Sequence, residues 1–302
     1  MIELVGLTKT YRRRVAVDDV TVTIEPGRVT GFLGPNGSGK TTTMRCILGL
    51  TRPTAGSATV LGRPYRELDR PLRSVGALVE ARARHPARTA YAHLLVLAES
   101  NRLPRDRVDE VIELVGLADV AHDRVGGFSL GMGQRLGMAA ALLGDPEVLL
   151  DEPVNGLDPE GIRWIRDLLR HLAGEGRTVL VSSHLMSEME DTADHLVVLG
   201  RGRLLADVPM AELLGRHCAV RVRTPQSVAL AQALGHAGAR VERAVDGALL
   251  VEGLSAAEVG DVAYARDVPV HELARVTASL EAAYLALTGD HVDYPVEYRA
   301  AP

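Results

Sequence analysis

The sequence predicts an α/β fold on a largely parallel sheet, followed by a smaller α+β module, and three observations carry that expectation. Short apolar runs at 29–33, 148–150 and 178–181 read as buried strands with helical patterns between them. Strands alternating with helices close a parallel sheet, because each connection must cross over a face of it. A glycine-rich stretch, residues 34–42, joins the first of these strands to the helix-like Met44, Arg45, Cys46, Ile47 and Leu48. From about residue 216 the chain changes to short strands and helices in a new order.

Taken along the chain, Val20, Val22 and Ile24 alternate with polar residues, a half-buried strand that Glu25-Pro26-Gly27 turns into the run at 29–33. Residues 89–143 carry few strand signals and are expected to form a helical subdomain inserted into the core. Within it Val108, Val111, Ile112 and Val115 recur at helical spacing, and Gly116 is placed to stop that helix. Asp158-Pro159 opens a helix with Ile162, Ile165, Leu169 and Leu172 along one face. Residues 196–199 and 204–205 read as a hairpin through Gly200-Arg201-Gly202-Arg203. Residues 1–215 are therefore expected to form one domain and 216–302 another. In the second, strands are expected at 220–222, 241–245, 249–251 and 268–270, with helices at 228–234 and after the Ser255/Glu258 capping box. A last helix carries Leu280, Tyr284 and Leu287. The order β-α-β-β-α-β plus a helix is ferredoxin-like, and the polar tail after 289 is expected to be mobile.

Composition narrows the function. A chain of 302 residues, 46% hydrophobic and 24% charged, is globular and long enough for two cores. A net charge of −5 gives no electrostatic reason to expect nucleic acid as a partner, and Arg12-Arg13-Arg14 reads as a solvated edge. No apolar run reaches about eighteen residues and no signal-peptide layout opens the sequence, so the chain is expected to stay in the cytosol. Cys46 and Cys218 lie far from each other and from any zinc-like histidine spacing, so both are expected to be reduced thiols.

The chemistry is carried by Gly34-Pro35-Asn36-Gly37-Ser38-Gly39-Lys40-Thr41-Thr42, a G-x-x-x-x-G-K-[ST] pattern set between strand and helix. A polyphosphate needs several inward-pointing N–H donors, and glycines present main-chain amides without Cβ atoms in the way. The helix N-terminus adds its dipole. Lys40 would reach the β- and γ-phosphates, and the Thr41 hydroxyl would ligate Mg²⁺. Five further elements follow a fixed order. Tyr11 is placed to stack on a purine base. Glu80 ends the apolar Val75-Gly76-Ala77-Leu78-Val79. Ser129 and Gly131 open an Ala/Leu-rich helix, where they offer a hydroxyl and amides to an anion, although Ser129 would equally cap its own helix. Asp151 and Glu152 leave a buried strand, one suited to Mg²⁺ and the other to orienting or deprotonating an attacking water. Asn155-Gly156-Leu157-Asp158 forms a tight turn, and His184 follows Ser182-Ser183.

Together these elements resemble the nucleotide-binding subunit of an ABC transporter over residues 1–216. The resemblance implies that Tyr11 is the aromatic of the adenine-stacking loop, residues 34–42 the Walker A loop, and Asp151 and Glu152 the Walker B aspartate and catalytic glutamate. It makes Asp158 the acid of the D-loop, His184 the switch histidine beside the γ-phosphate, and residues 129–132 the signature. Lys40, Glu152 and His184 are then the catalytic set. The stretches Val-Gly-Ala-Leu-Val-Glu and Ser-Leu-Gly-Met, with the ending at 279–289, are similar to a branch that exports bacitracin-type antibiotics and lantibiotics. Glu80 stands where most of the family has glutamine and joins Thr41 and Asp151 as a candidate Mg²⁺ ligand. Leu130 and Met132 replace a signature glycine and glutamine, and Glu147 sits at the edge of a Walker B strand with one apolar residue fewer than usual. The resemblance further implies ATP and Mg²⁺ as cofactors and two copies paired head to tail, with each ATP between one chain's Lys40 and the other's Ser129. It also implies a separately encoded permease that holds the pair at the inner face of the membrane, its force passing near Glu80 and residues 82–88. An importer subunit, or a soluble ATPase acting on DNA or ribosomes, is the alternative reading.

Overall fold

A computed structural model of the chain describes residues 1–79, 85–183, 185–216, 219–244, 246–276, 280–281 and 283–284. Its internal contacts define two compact units, one running to Val208 and one beginning at Pro209.

In the first unit, β1 (Ile2–Tyr11) and β2 (Arg14–Ile24) form a long antiparallel hairpin. The buried β3 (Val29–Leu33) leads through the glycine-rich loop into α1 (Lys40–Ile47). Then come β4 (Ala55–Val60), which pairs with β1, the short α2 (Pro71–Ser74), and β5 (Val75–Leu78). Three helices follow: α3 (Ala90–Ser100), α4 (Asp106–Leu114) and α5 (Leu130–Leu142). The remainder alternates as β6 (Glu147–Asp151), α6 (Pro159–Gly174), β7 (Val179–Ser183), α7 (Met186–Thr192), β8 (His195–Gly200) and β9 (Arg203–Pro209). The central sheet has the order β5-β6-β7-β3-β8-β9, and β5/β6, β6/β7, β7/β3 and β3/β8 are parallel. The glycine-rich loop therefore leaves the middle of a doubly covered sheet.

Local chemistry explains the elements that frame the site. Every residue of β3 and of β7 is buried, as strands covered on both faces require. The helical subdomain lies where strand signals are sparse. On α4 Val108, Val111 and Ile112 face inward, and Gly116 at φ 67 ends the turn. Each such side chain stabilises the unit by roughly 1.5–3 kcal/mol relative to exposure. The β8–β9 hairpin turns on Arg201 and Gly202 at φ 48 and 83, the pair of positive values that a tight two-residue turn demands. Glu147 is the first residue of β6, paired with Val75, and its carboxylate accepts the Thr178 N–H. Among the described residues no helix is long and apolar enough to cross a membrane.

The second unit opens with α8 (Met210–Arg216) and continues as β10 (Ala219–Arg223), α9 (Ser227–His236), β11 (Arg240–Arg243), β12 (Leu249–Glu252), α10 (Ala256–Ala265) and β13 (Glu272–Val276). Its antiparallel sheet has the order β11-β12-β10-β13, so β12 lies between the two strands that α9 connects. Val220, Val222, Leu230, Leu234, Val251 and Val259 form its core, and the Ser255/Glu258 capping box is complete. The expected strand at 268–270 is absent. Val268 instead spends its N–H on Ala263 O (3.0 Å), closing α10, and buries its side chain in the core. Pro269 has no N–H for a ladder, and pairing with β10 begins at Glu272. Leu280 and Tyr284 are buried, whereas Val245, Cys218, Leu287 and the polar tail lie outside the described residues.

Candidate nucleotide site

The loop between β3 and α1 is shaped by glycine where another residue would collide. Gly39 stands at φ 107, and a Cβ there would lie 2.6 Å from Ala16 O. The Lys40 side chain folds under the loop, 6% exposed, and its Nζ donates to Gly34 O (2.6 Å) and Pro35 O (3.2 Å). Burial lowers the Lys40 pKa from the ordinary lysine value, and the charges of Glu152 and Asp151 oppose that shift. The Ser38 hydroxyl is buried with no partner among the described residues.

Asp151 ends β6 opposite Ser182 of β7. Its two oxygens are both engaged, Oδ1 by the Ser182 hydroxyl and Oδ2 by Thr41 Oγ1 at 2.8 Å. The chain then bends sharply: Glu152 adopts φ 48, a left-handed backbone that a non-glycine residue holds only when its surroundings fix it. Its N–H donates to Ser182 O (3.1 Å) and Ser182 Oγ (3.2 Å), and Asn155 Nδ2 donates to its carboxylate.

A cleft of about 300 Å³ gathers eight of the expected groups. Tyr11, Asn36, Gly37, Gly39, Lys40, Thr41, Thr42 and Glu152 share its wall. Tyr11 is 44% exposed, and Lys9 Nζ lies 4.9 Å from its ring centroid. Arg14, which the sequence reads as part of a solvated edge, belongs to the same wall. The hairpin register pairs it with Tyr11, and a Cβ on Gly37 would stand 3.5 Å from its Nη2. Only the strand register could have revealed this, because Arg12 and Arg13 form a turn without glycine or asparagine.

Ser129, Gly131 and Asp158 are not part of that wall. Ser129 caps α5 by accepting the Met132 N–H at 3.2 Å, and Asp158 caps α6 by accepting the Gly161 N–H at 2.8 Å. The start of α5 packs on the Asn155–Asp158 turn: Gly156 has φ 77, and a Cβ on it would lie 2.1 Å from Leu130 Cδ2. Glu80 and His184 lie outside the described residues.

Magnesium suits this donor set. Thr41 and Asp151 present a hydroxyl and a carboxylate within 2.8 Å of each other, and among the described residues no cluster of three or more His, Cys, Asp or Glu forms a protein cage. Mg²⁺ is characteristically held in this manner, by one or two protein oxygens with phosphate and water completing the octahedron.

The sequence profile of the ABC transporter family matches residues 17–155, which span the loop, the start of α5 and the Asp151–Glu152 corner, and a domain of unknown function matches 218–281. An uncharacterized ABC transporter ATP-binding protein of Bacillus subtilis, YhcH, is 46% identical over 68% of each chain. The bacitracin transport ATP-binding protein BcrA of Bacillus licheniformis is 42% identical over 72% of each. The dimeric structure of a bacterial ABC transporter cassette superposes with a TM-score of 0.63 at 27% identity, covering 70% of this chain and 99% of the other. A glycine-rich loop in one cleft with an exposed tyrosine, wired through Thr41 to a strand-end aspartate and its neighbouring glutamate, thus comes with matching sequence and matching fold: the chain belongs to the ATP-binding, ATP-hydrolysing proteins of the ABC transporter family.

Proposed function

We propose that this chain powers export of an antibiotic-like compound through a separate permease, by closing and reopening a head-to-tail pair of its own copies around Mg²⁺-ATP. The observation that carries the reading is the division of the phosphate-binding groups. One cleft holds Tyr11, Lys40, Thr41 and Glu152, while the exposed helix start with Ser129 and Gly131 lies apart from it in the same chain. A helix terminus so placed completes a phosphate cage only for another copy. The dimeric cassette and the bacitracin transport protein support the pairing and the cargo class.

Within each half, Tyr11 stacks on the adenine and the main-chain amides of 34–42 hold the β- and γ-phosphates, with Lys40 turned toward them. Thr41 and Asp151 would hold a Mg²⁺, which when bound would supply charge neutralisation on the phosphate oxygens. Glu152 orients the attacking water and draws on its proton, while Asn155 fixes the carboxylate. His184 and Asp158 act at the γ-phosphate and across the pair. An apolar groove of about 410 Å³, bounded by Leu72, Leu78, Leu97 and Leu136, runs to Val79, where the chain enters residues 80–88. There we place the permease contact that keeps the protein at the inner membrane face. Affinity purification from membranes tests the reading: a polytopic membrane protein should co-purify, and an antibiotic of its specificity should stimulate ATP hydrolysis. A chain that binds no membrane protein and hydrolyses ATP only with DNA or ribosomes would overturn it.

Arg14→Ala offers a milder check. Loss of a cation at the cleft mouth should weaken ATP binding by about threefold to tenfold, and the difference should shrink as salt rises, since the side chain is exposed. A salt-independent loss would point to misfolding of the hairpin instead.

A further inference from the structure

We infer that Gln134 is a positioning residue for Glu152, tying the helix that serves the partner's nucleotide to the carboxylate that serves its own. Gln134 lies on α5, is 3% exposed, and its Nε2 donates to both Glu152 O (3.1 Å) and Pro153 O (3.0 Å). Buried amides that bridge two main-chain carbonyls hold a backbone, and here the backbone needs holding. Glu152 is the left-handed residue at the strand's end, its N–H pinned from β7 by Ser182 and its C=O pinned from α5 by Gln134. The two clamps come from different elements and set the direction in which the Glu152 side chain leaves.

The consequence follows from where α5 begins. Its first turn carries Ser129 and Gly131, and Leu130 packs on Gly156 three residues beyond Pro153. A shift of that turn is transmitted through one rigid helix to Gln134, and from there to the two peptide groups on either side of Pro153, the first of which carries the Glu152 carbonyl. Capture of a partner's γ-phosphate at Ser129 therefore biases the aim of this chain's own Glu152, so that each half hydrolyses efficiently once the other half is engaged. This inference rests on the reading of Glu152 as the catalytic carboxylate and of Ser129 as a contributor in trans.

The test measures ATP affinity, steady-state turnover and its ATP cooperativity in full-length Gln134→Met, which keeps the volume and removes the donor, and in Gln134→Asn, which keeps the amide but falls a methylene short. Turnover should fall about tenfold or more in both, with affinity within about twofold and the Hill coefficient moved toward one. Single-turnover hydrolysis of radiolabelled ATP by Glu152→Gln and by the double variant with Gln134→Met gives the decisive comparison. If Gln134 acts through Glu152, the second change adds little to the first; losses that multiply overturn the inference. Should Gln134→Met not fold, Gln134→Asn is carried through the same cycle. Full turnover in a folded Gln134 variant, with Glu152→Gln stalled, rejects the inference alone. Unimpaired Glu152→Gln rejects instead the reading on which it rests.

Discussion

Glu152→Gln is expected to bind ATP as tightly as the unaltered chain while its turnover falls by about 10²–10⁴-fold, the range seen when a positioned general base is removed. The substitution is nearly isosteric, and the bonds that shape the corner survive it. Ser182 still receives the Glu152 N–H, Gln134 still donates to its carbonyl, and the new amide oxygen can still accept from Asn155. What disappears is the anionic oxygen that draws the proton from water. Lys40, Thr41 and the loop amides, to which we assign the phosphates, are untouched, so binding and turnover should separate cleanly. Phosphate release and the affinity for a fluorescent ATP analogue check the two halves of the expectation. The same variant should accumulate as an ATP-dependent dimer in solution, because closure is retained while the step that releases it is stalled. An ATPase rate equal to that of the unaltered chain would remove Glu152 from the role.

The parts of this site that the sequence discloses are those whose geometry is local. A strand, a glycine loop and a helix are contiguous at 29–47, and their chemistry can be read in place because Gly39 and its neighbours dictate the backbone. Asp151 and Glu152 are legible for the same reason, as acids at the end of a short apolar run. Arg14 is not, because its place beside Tyr11 depends on a hairpin register set by the pairing of β1 with β2 over ten residues. Nor is the left-handed backbone of Glu152, which no local preference favours and which Ser182 and Gln134, thirty and eighteen residues away, impose. The misplaced strand at 268–270 has a related cause. Val268 carries a strand-like side chain, but its N–H and its apolar surface are both claimed by the end of α10. Ser129 and Asp158 show the opposite limit: their capping roles are evident from sequence and present in the fold, while any role across a dimer belongs to a surface that one chain does not contain.

Lys40→Met should abolish useful nucleotide binding while leaving the free protein nearly as stable as before, and the contrast follows from what burial does to the ammonium. The side chain is almost wholly enclosed, and the cost of that enclosure is why its pKa falls below the ordinary lysine value despite the nearby Glu152 and Asp151. In the nucleotide-free chain a lowered lysine pKa means that the unfolded state holds the proton more firmly. Stability lost at neutral pH is therefore regained as pH rises through the lowered value toward the ordinary one. Methionine removes the buried charge at similar length, which offsets the loss of its bonds to Gly34 O and Pro35 O. The melting temperature without nucleotide should change by no more than a few degrees. With ATP the outcome should reverse, since the charge that is a burden to the free chain is the one we assign to the phosphates. A loss of about 100-fold in affinity would reduce the stabilisation at a fixed ATP concentration from about 2.7 kcal/mol, at a hundred times Kd, to about 0.4 kcal/mol. Thermal melts with and without Mg²⁺-ATP measure both halves of the claim. The unaltered chain should also bind ATP more weakly as pH climbs through the lowered Lys40 value, while its nucleotide-free stability rises over the same interval. Two curves running in the same direction would show that Lys40 is not the group linking fold to ligand.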